Sequence, residues 1–395
     1  MKDLMFRIIP IKKFIQFIYR FLIELGKISG FFSPFYDNEI YFFFPYYHIG
    51  GAERVHLNIV NCVKYRKIFT FFTKKSKNDA LKAYFEKYTI IKDLSSITQY
   101  RVLSMFYVGL LSVQINRNNN PIVFGCNNFF FYDLIPHLDQ HVRLIDLIHA
   151  FGGGIENISI NYVKQLDTRI VINLKTKEDL INQYQVHNIK PEYEYKIKII
   201  ENCVQIPDKF PNKPQNSHIR ILYVGRGTSE KRVHLIGKIA MQCSINQMPA
   251  EFVLIGELME SIDKKYHKYC TFLGEITNES ELKEAYVNSD ILLITSTREG
   301  FPLAVMEAMA QGVIPICTRV GGITEHIRDG INGFLIDNAN EEYIVSEIVK
   351  KIAYLYEESS YRKKLSLNSF YYANEHFDCK NFCRSYQELI NSHLS

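Results

Sequence analysis

The 395 residues exceed what one hydrophobic core usually serves, so two domains of roughly 150 to 200 residues are expected. With 47% hydrophobic and 23% charged residues the chain is globular, and a net charge of +5 without any long Lys/Arg run argues against nucleic acid as a partner. Eight Cys at 62, 126, 203, 243, 270, 317, 379 and 383 form no C-x-x-C pair, so they read as reduced thiols in a cytosol, and His376, Cys379 and Cys383 lack a fourth metal ligand. No metal site is expected.

Residues 1–38 form an extension before the first domain. In "IKKFIQFIYRFLIELGKIS" the residues Ile11, Phe14, Ile15, Ile18, Leu22 and Leu25 recur at helical spacing, with Lys12, Lys13, Gln16, Arg20 and Lys27 mostly opposite. Charges interrupt the run well short of a membrane span, and no cleavage signal follows. Two readings stay open: a helix on an anionic membrane surface, or one covering part of the first core.

From Asn38 the apolar runs "IYFFFP", "PIVFG", "RLIDLIH", "RIVIN" and "KIKII" alternate with helical or loop stretches, the pattern of buried parallel strands with crossovers. Residues 39–205 are therefore a first doubly wound domain. The Pro-rich "IPDKFPNKPQNSHIR" from Ile206 has neither strand nor helix period and is the linker. A second α/β domain, 206–373, follows with "IRILYVG", "EFVLIG", "TFLGE", "DILLITS", "VIPICT" and "GFLID". Such sheets take ligands beyond the carboxyl ends of their strands, so chemistry is sought in the loops there.

In "YVGRGTSEKR" two cations, Arg226 and Lys231, bracket a strand-to-helix turn and suit a diphosphate. "DILLITSTREGFPLAVMEAMAQG" is a strand running out at Thr295, then Pro302 opening a helix that ends near Gly312. Glu299 precedes that helix, whose first N–H groups, with Gly300 and Phe301 before them, welcome phosphate or sugar oxygens. Glu307 lies more than one turn in, among Ala304, Ala308 and Ala310, where its carboxylate can accept two hydrogen bonds from a ribose diol. Each feature alone also fits helix-dipole balance or a surface charge.

The combination is more specific. "REGFPLAVMEAMAQGVIPICTRVGGITEHIRDGINGFLI", "YVGRGTSEKR", "HIGGAERV" and "KIKIIENCVQIPDKF" resemble, in order, motifs of the retaining nucleotide-sugar glycosyltransferases of family 4 (glycosyl transferases group 1). The resemblance covers about everything after residue 38. It implies the GT-B fold, two Rossmann-like domains facing across a cleft, with a C-terminal helix, 374–395, crossing back to the first domain. It also implies roles. Glu307 would hold the nucleotide ribose, Arg226 and Lys231 the diphosphate, and Glu299 with the backbone of Gly300 and Phe301 the donor sugar. Gly50 and Gly51 would admit the diphosphate closely, and His149, ahead of Gly152, Gly153 and Gly154, would stand beside the transferred sugar.

The activity so implied is metal-independent transfer, with retention, of a hexosyl group from a UDP-, GDP- or other nucleotide sugar to a lipid-linked glycan. The setting is bacterial capsule or lipopolysaccharide assembly in the cytoplasm, as a peripheral protein at the inner membrane face. No Asp-x-Asp pair of the metal-using transferases occurs in the chain. A GT-B nucleotide-sugar epimerase and a non-catalytic sugar-binding protein are the alternatives. Cys203 stands where the family usually has Gly, Gly227 replaces a frequent Leu and Thr324 a frequent Pro.

Overall fold

The computed structural model describes residues 2–34, 37–214 and 217–392, with side chains from residue 13 onward. Ile11 and Lys12 of the N-terminal stripe, and Gln215 and Asn216 of the Pro-rich stretch, thus lie outside the described side chains or residues, as do Met1, Phe35 and Tyr36 of the 1–38 segment and residues 393–395 of the 374–395 segment.

The chain divides into two compact units, Met1–Val171 with Lys177–Ile199 and Cys383–Ser395, and Ile172–Thr176 with Ile200–Phe382. The main change of unit thus falls at residue 200, ahead of the Pro-rich stretch, and the return falls at Cys383, inside the last helix, Cys379–Asn391.

The first unit carries a seven-stranded parallel sheet: β1 (Ile40–Phe44), β2 (Ile68–Phe72), β3 (Ile90–Asp93), β4 (Ile122–Cys126), β5 (Arg143–Ile148), β6 (Thr168–Val171) and β7 (Ile197–Ile199). Their order is β3-β2-β1-β4-β5-β6-β7. Both faces of β1 are covered, so Phe42, Phe43 and Phe44 are all fully buried, which is why this strand reads as an unbroken apolar run. The second unit repeats the plan with β8 (Ile219–Val224), β9 (Ala250–Ile255), β10 (Thr271–Gly274), β11 (Ile291–Ile294), β12 (Ile314–Thr318) and β13 (Phe334–Ile336), ordered β10-β9-β8-β11-β12-β13. Each sheet reverses its winding once, between β1 and β4 and between β8 and β11. Loops leaving those strands flank a crevice at the sheet's carboxyl edge. The architecture is the GT-B pair of doubly wound units.

The N-terminal helix, Lys2–Phe32, packs on Arg101–Asn116, and glycines make the closest contacts, with only part of the large apolar stripe beside them. A Cβ on Gly26 would sit 1.9 Å from the Phe106 carbonyl oxygen, and one on Gly109 would sit 1.9 Å from that of Ile23. Backbone therefore meets backbone, with Ile23 buried and Tyr19 and Leu22 half-buried beside it. Phe14, Phe17, Phe21, Ile28 and Phe31 stay exposed. Among the described residues no helix is long and apolar enough to cross a membrane.

The expectation of eight reduced thiols is corrected. Cys62 is bonded to Cys383 within the first unit and Cys203 to Cys379 within the second. The partners lie 321 and 176 residues apart, so only the folded chain brings them together. Cys203 thereby replaces a small interdomain Gly with a tether. Cys126, Cys243, Cys270 and Cys317 are free thiols.

Candidate active site

In the second unit, the loops at the winding reversal carry the charged residues. After β8 the chain passes Gly225, Arg226 and Gly227 into a short turn, Ser229–Lys231, and Arg232 takes a left-handed conformation (φ 46°) before the helix His234–Ile245. The buried Arg232 guanidinium explains that turn, donating to the carbonyls of Thr295 (2.6 Å) and Ser296 (3.0 Å) and to Asn338 Oδ1 (2.7 Å). It ties the loop after β8 to the loop after β11. Gly227 has no room for the Leu usual there: a Cβ would lie 2.0 Å from Ser261 Oγ, which itself donates to the Gly227 carbonyl.

Beyond β11, Pro302 caps the helix Leu303–Ala310, which closes at Gly312 (φ 65°). Glu299, 8% exposed in its side chain, receives Lys231 Nζ at 2.6 Å and Ser296 Oγ at 2.6 Å. Two residues read separately from the sequence, one for diphosphate and one for sugar, are thus one ion pair. Arg226 reaches outward, its side chain 73% exposed and 3.9 Å from Glu230, which also takes Arg298 at 2.9 Å.

Gly321 and Gly322 press on the loop from the far side. A Cβ on Gly321 would lie 1.8 Å from the Glu299 carbonyl oxygen, and the Gly322 N–H donates to the Gly300 carbonyl at 2.7 Å. This fixes the peptides of Glu299 and Gly300 just ahead of a helix start, where backbone donors and the helix dipole favour anions. The Phe301 ring stacks on His326, centroids 4.3 Å apart, so its side chain is packing and only its backbone can serve a ligand. Burial pushes the His326 imidazole down to about 4, and His376 nearby adds to the effect. Thr324, in place of Pro, donates to the Gly321 carbonyl at 3.1 Å. Glu307 is held by the Tyr286 hydroxyl, which donates to its Oε2 at 2.8 Å.

The first unit's edge is built differently. Gly50 precedes the helix Gly51–Cys62, and a Cβ on it would lie 2.2 Å from Glu53 Oε2. The space at Gly50 is therefore taken by a carboxylate folded back over the helix start, a constraint the Gly-Gly pair alone did not reveal. His149 follows β5, half-buried, with its Nε2 at 3.1 Å from that of His56. Burial pushes His149 down to about 4 and His56 well below the usual imidazole range, with His149 contributing to the latter. Behind them, Glu156, 2% exposed, accepts from the N–H groups of Gly152 (3.2 Å) and Gly154 (2.9 Å) and so organises the glycine loop. Cys126, at the end of β4, offers its sulfur within 4.8 Å of the two imidazole nitrogens, a spacing that a three-donor metal set would use. The imidazoles meet nearly end to end, however, ring centroids 5.2 Å apart, and bond to each other instead of converging.

His56, Glu53, Glu156, Arg232 and Tyr286 were not singled out from the sequence. Glu53 and Arg232 lay inside quoted motifs, but the roles of Arg232, His56, Glu156 and Tyr286 depend on partners 4 to 93 residues away that no local pattern marks.

Comparison with known proteins bears first on the second unit. Residues 205–370 match the model for glycosyl transferases group 1. That segment is similar to a group 1 glycosyltransferase domain. It contains Arg226, Lys231, Glu299 and Glu307 with both loops of the winding reversal. Sucrose synthase of Melioribacter roseus is 36% identical over 115 residues, 28% of this chain and 14% of that protein. The O-antigen biosynthesis glycosyltransferase WbnH of Escherichia coli is 28% identical over 351 residues, 87% of this chain and 96% of the relative. The chain spans between 14% and 56% of the length of several other curated relatives, sucrose synthase included. Among solved structures, Anabaena HepE in complex with UDP superposes with TM-score 0.70 at 18% identity, covering 90% of this chain and all of that one, a likeness of fold.

Proposed function

We propose that the chain is a retaining glycosyltransferase that moves a sugar from a nucleoside-diphosphate sugar to a lipid-linked glycan in surface-polysaccharide assembly. The observation that carries this reading is the crevice between β8 and β11. There a lysine–glutamate pair, a helix start and a ribose-compatible carboxylate share one end of one sheet. WbnH, an O-antigen biosynthesis enzyme by name, supports the setting, and HepE, solved with UDP, supports a nucleotide ligand.

Cleavage of the donor loads negative charge onto the departing diphosphate. Arg226, Lys231 and the donors ahead of Leu303 would hold that charge, stabilising the transition state through positioned dipoles and cations. Glu299 would orient the sugar while keeping Lys231 in place, Glu307 would take the ribose, and in the first unit Gly50, Gly51 and His149 would line the sugar and diphosphate. Fixed cations make metal independence part of the proposal. The aromatic stripe of Phe14, Phe17, Phe21, Ile28 and Phe31, with Lys13 and Arg20 alongside, suits an anionic bilayer surface.

The test is a thermal-shift screen of UDP, GDP, ADP and CMP sugars against wild type and Glu307→Ala, followed by anomer-resolved NMR of product formed with and without chelator. One nucleotide should stabilise the wild type, roughly tenfold weaker binding should follow from the mutation, and the product should keep the donor anomer. Inverted product, epimer from donor alone, or full loss of turnover in chelator would each overturn the corresponding part.

A further inference from the structure

His149 does not act alone. Its Nε2 lies 3.1 Å from His56 Nε2, and the two rings meet nearly end to end. Two N–H groups cannot point at each other at that distance, and two bare nitrogens would repel, so one ring donates and the other accepts. Neither ring is charged near neutral pH, because burial holds both below the usual imidazole range. One proton is therefore shared between the two facing nitrogens, and the question is which ring owns it.

The surroundings decide. His56 sits on the helix Gly51–Cys62, 1% exposed, its ring stacked on Phe44 with centroids 4.1 Å apart and planes within 5°. That stack fixes the ring plane, and the His56 Nδ1 it leaves behind is buried without a hydrogen-bond partner. A stranded buried N–H is the rarer and costlier arrangement, so the lone proton of His56 belongs on Nε2, where an acceptor exists. His149 is only half-buried, and accepting on Nε2 leaves its own proton on Nδ1.

We infer that His56 is a positioning residue that donates Nε2–H to His149 Nε2 and so locks His149 as the Nδ1–H tautomer, presenting one N–H donor, aimed by a neutral partner, to a hydroxyl of the transferred sugar. The sugar as recipient rests on the transferase reading above; the tautomer pair does not. A neutral donor suits an uncharged hydroxyl next to a developing oxocarbenium ion, since an imidazolium there would oppose the growing positive charge. Cys126 lies beside the pair, and Glu53, one turn ahead of His56 on its helix, has His48 at 3.9 Å. Cys126 is kept a neutral thiol by burial, and Glu53 lies over its own helix start.

The test uses full-length protein with 15N-labelled histidine and long-range proton–nitrogen spectra near pH 7.5. His56 should appear as Nε2–H and His149 as Nδ1–H, the less common form of imidazole in water. His56→Phe keeps the stack on Phe44 but removes the donor. It should release His149 to Nε2–H and lower kcat about tenfold with little change in KM for the donor. His56→Gln, whose amide can still donate, should keep the tautomer and most of the rate. If His56→Phe fails to fold, the wild-type and His56→Gln spectra decide. Reverse tautomers in the wild type, an unmoved His149 in His56→Phe, or stoichiometric zinc by elemental analysis would overturn the inference. Expected tautomers in a protein that transfers from no nucleotide sugar would sink the transferase reading and leave the imidazole pair standing.

Discussion

The two units share one winding plan and place their charges in opposite positions. In the second, the ion pair Lys231–Glu299 sits at the carboxyl edge of the sheet, among loops. In the first, the ion pair is sunk into the sheet itself. Arg169 on β6 and Asp146 on β5 are both 0% exposed, joined at 2.9 Å and closed off by Tyr132 and Tyr184, while the edge above them holds neutral histidines. Charge at an edge can be handed to a ligand; charge inside a sheet can only hold the sheet in register. Under the proposed function the first arrangement would serve an anion, whereas the second leaves the uncharged rings of His56 and His149 at its edge.

The largest effect should come from breaking the sunken pair. Asp146→Ala strands a buried guanidinium and should cost about 3 to 5 kcal/mol of stability in denaturant titration, with much of it recovered when Arg169→Leu is added. If Asp146→Ala is mild, the buried pair is not what holds β5 to β6. Breaking the edge pair should behave in reverse. Lys231→Ala should lower kcat by about 10² to 10³ and cost less stability than Asp146→Ala, since Ser296 Oγ still donates to Glu299 and the pair lies nearer solvent than Arg169–Asp146. A matched loss of stability would make Lys231 structural and erase the contrast.

Acid should weaken both units. The folded His149 and His326 stay neutral down to about pH 4, whereas in the unfolded chain they take up protons from about 6.5. Stability contributed by these residues is therefore complete above that value and falls as pH drops toward 4. Urea titrations at pH 7.5, 5.5 and 4.5 measure it, and a flat profile would contradict the buried neutral rings. The smallest effect belongs to Tyr286→Phe, which removes one hydrogen bond to Glu307. It should weaken nucleotide binding about three- to tenfold by calorimetry, with stability down by roughly 1 kcal/mol.

How much of this could be read from the chain depends on whether the signal was local. Buried strands such as "IYFFFP" and "DILLITS" declare themselves by composition, and Pro302 and Gly312 bound their helix because each has its own backbone preference. Glu299, Glu307, Arg226 and Lys231 stood out through spacing and resemblance. That Lys231 would close on Glu299 was not legible, since the two are 68 residues apart and loop geometry chooses the partner. His56 was hidden for the same reason, 93 residues from His149. The N-terminal helix misled in a different way. Periodicity scores large apolar side chains, and of those it marked Phe14, Ile15 and Leu25 are exposed while Leu22 is half-buried at the contact; the closest approaches are made by Gly26 and, on the neighbouring helix, Gly109, which such patterns pass over.

That glycine seam also governs how the first residues can be handled. Because Gly26 and Gly109 bring main chains into contact, the helix is clamped against rolling or sliding along Arg101–Asn116, and its aromatic stripe is displayed at one fixed angle like the keel of a hull. Cutting the segment away would uncover Phe106, Gly109, Leu110 and Val113 as well as remove Phe17 and Phe31. Folding and the proposed membrane contact would thus draw on the same helix, and exchanging the outward phenylalanines for serine separates them where truncation does not.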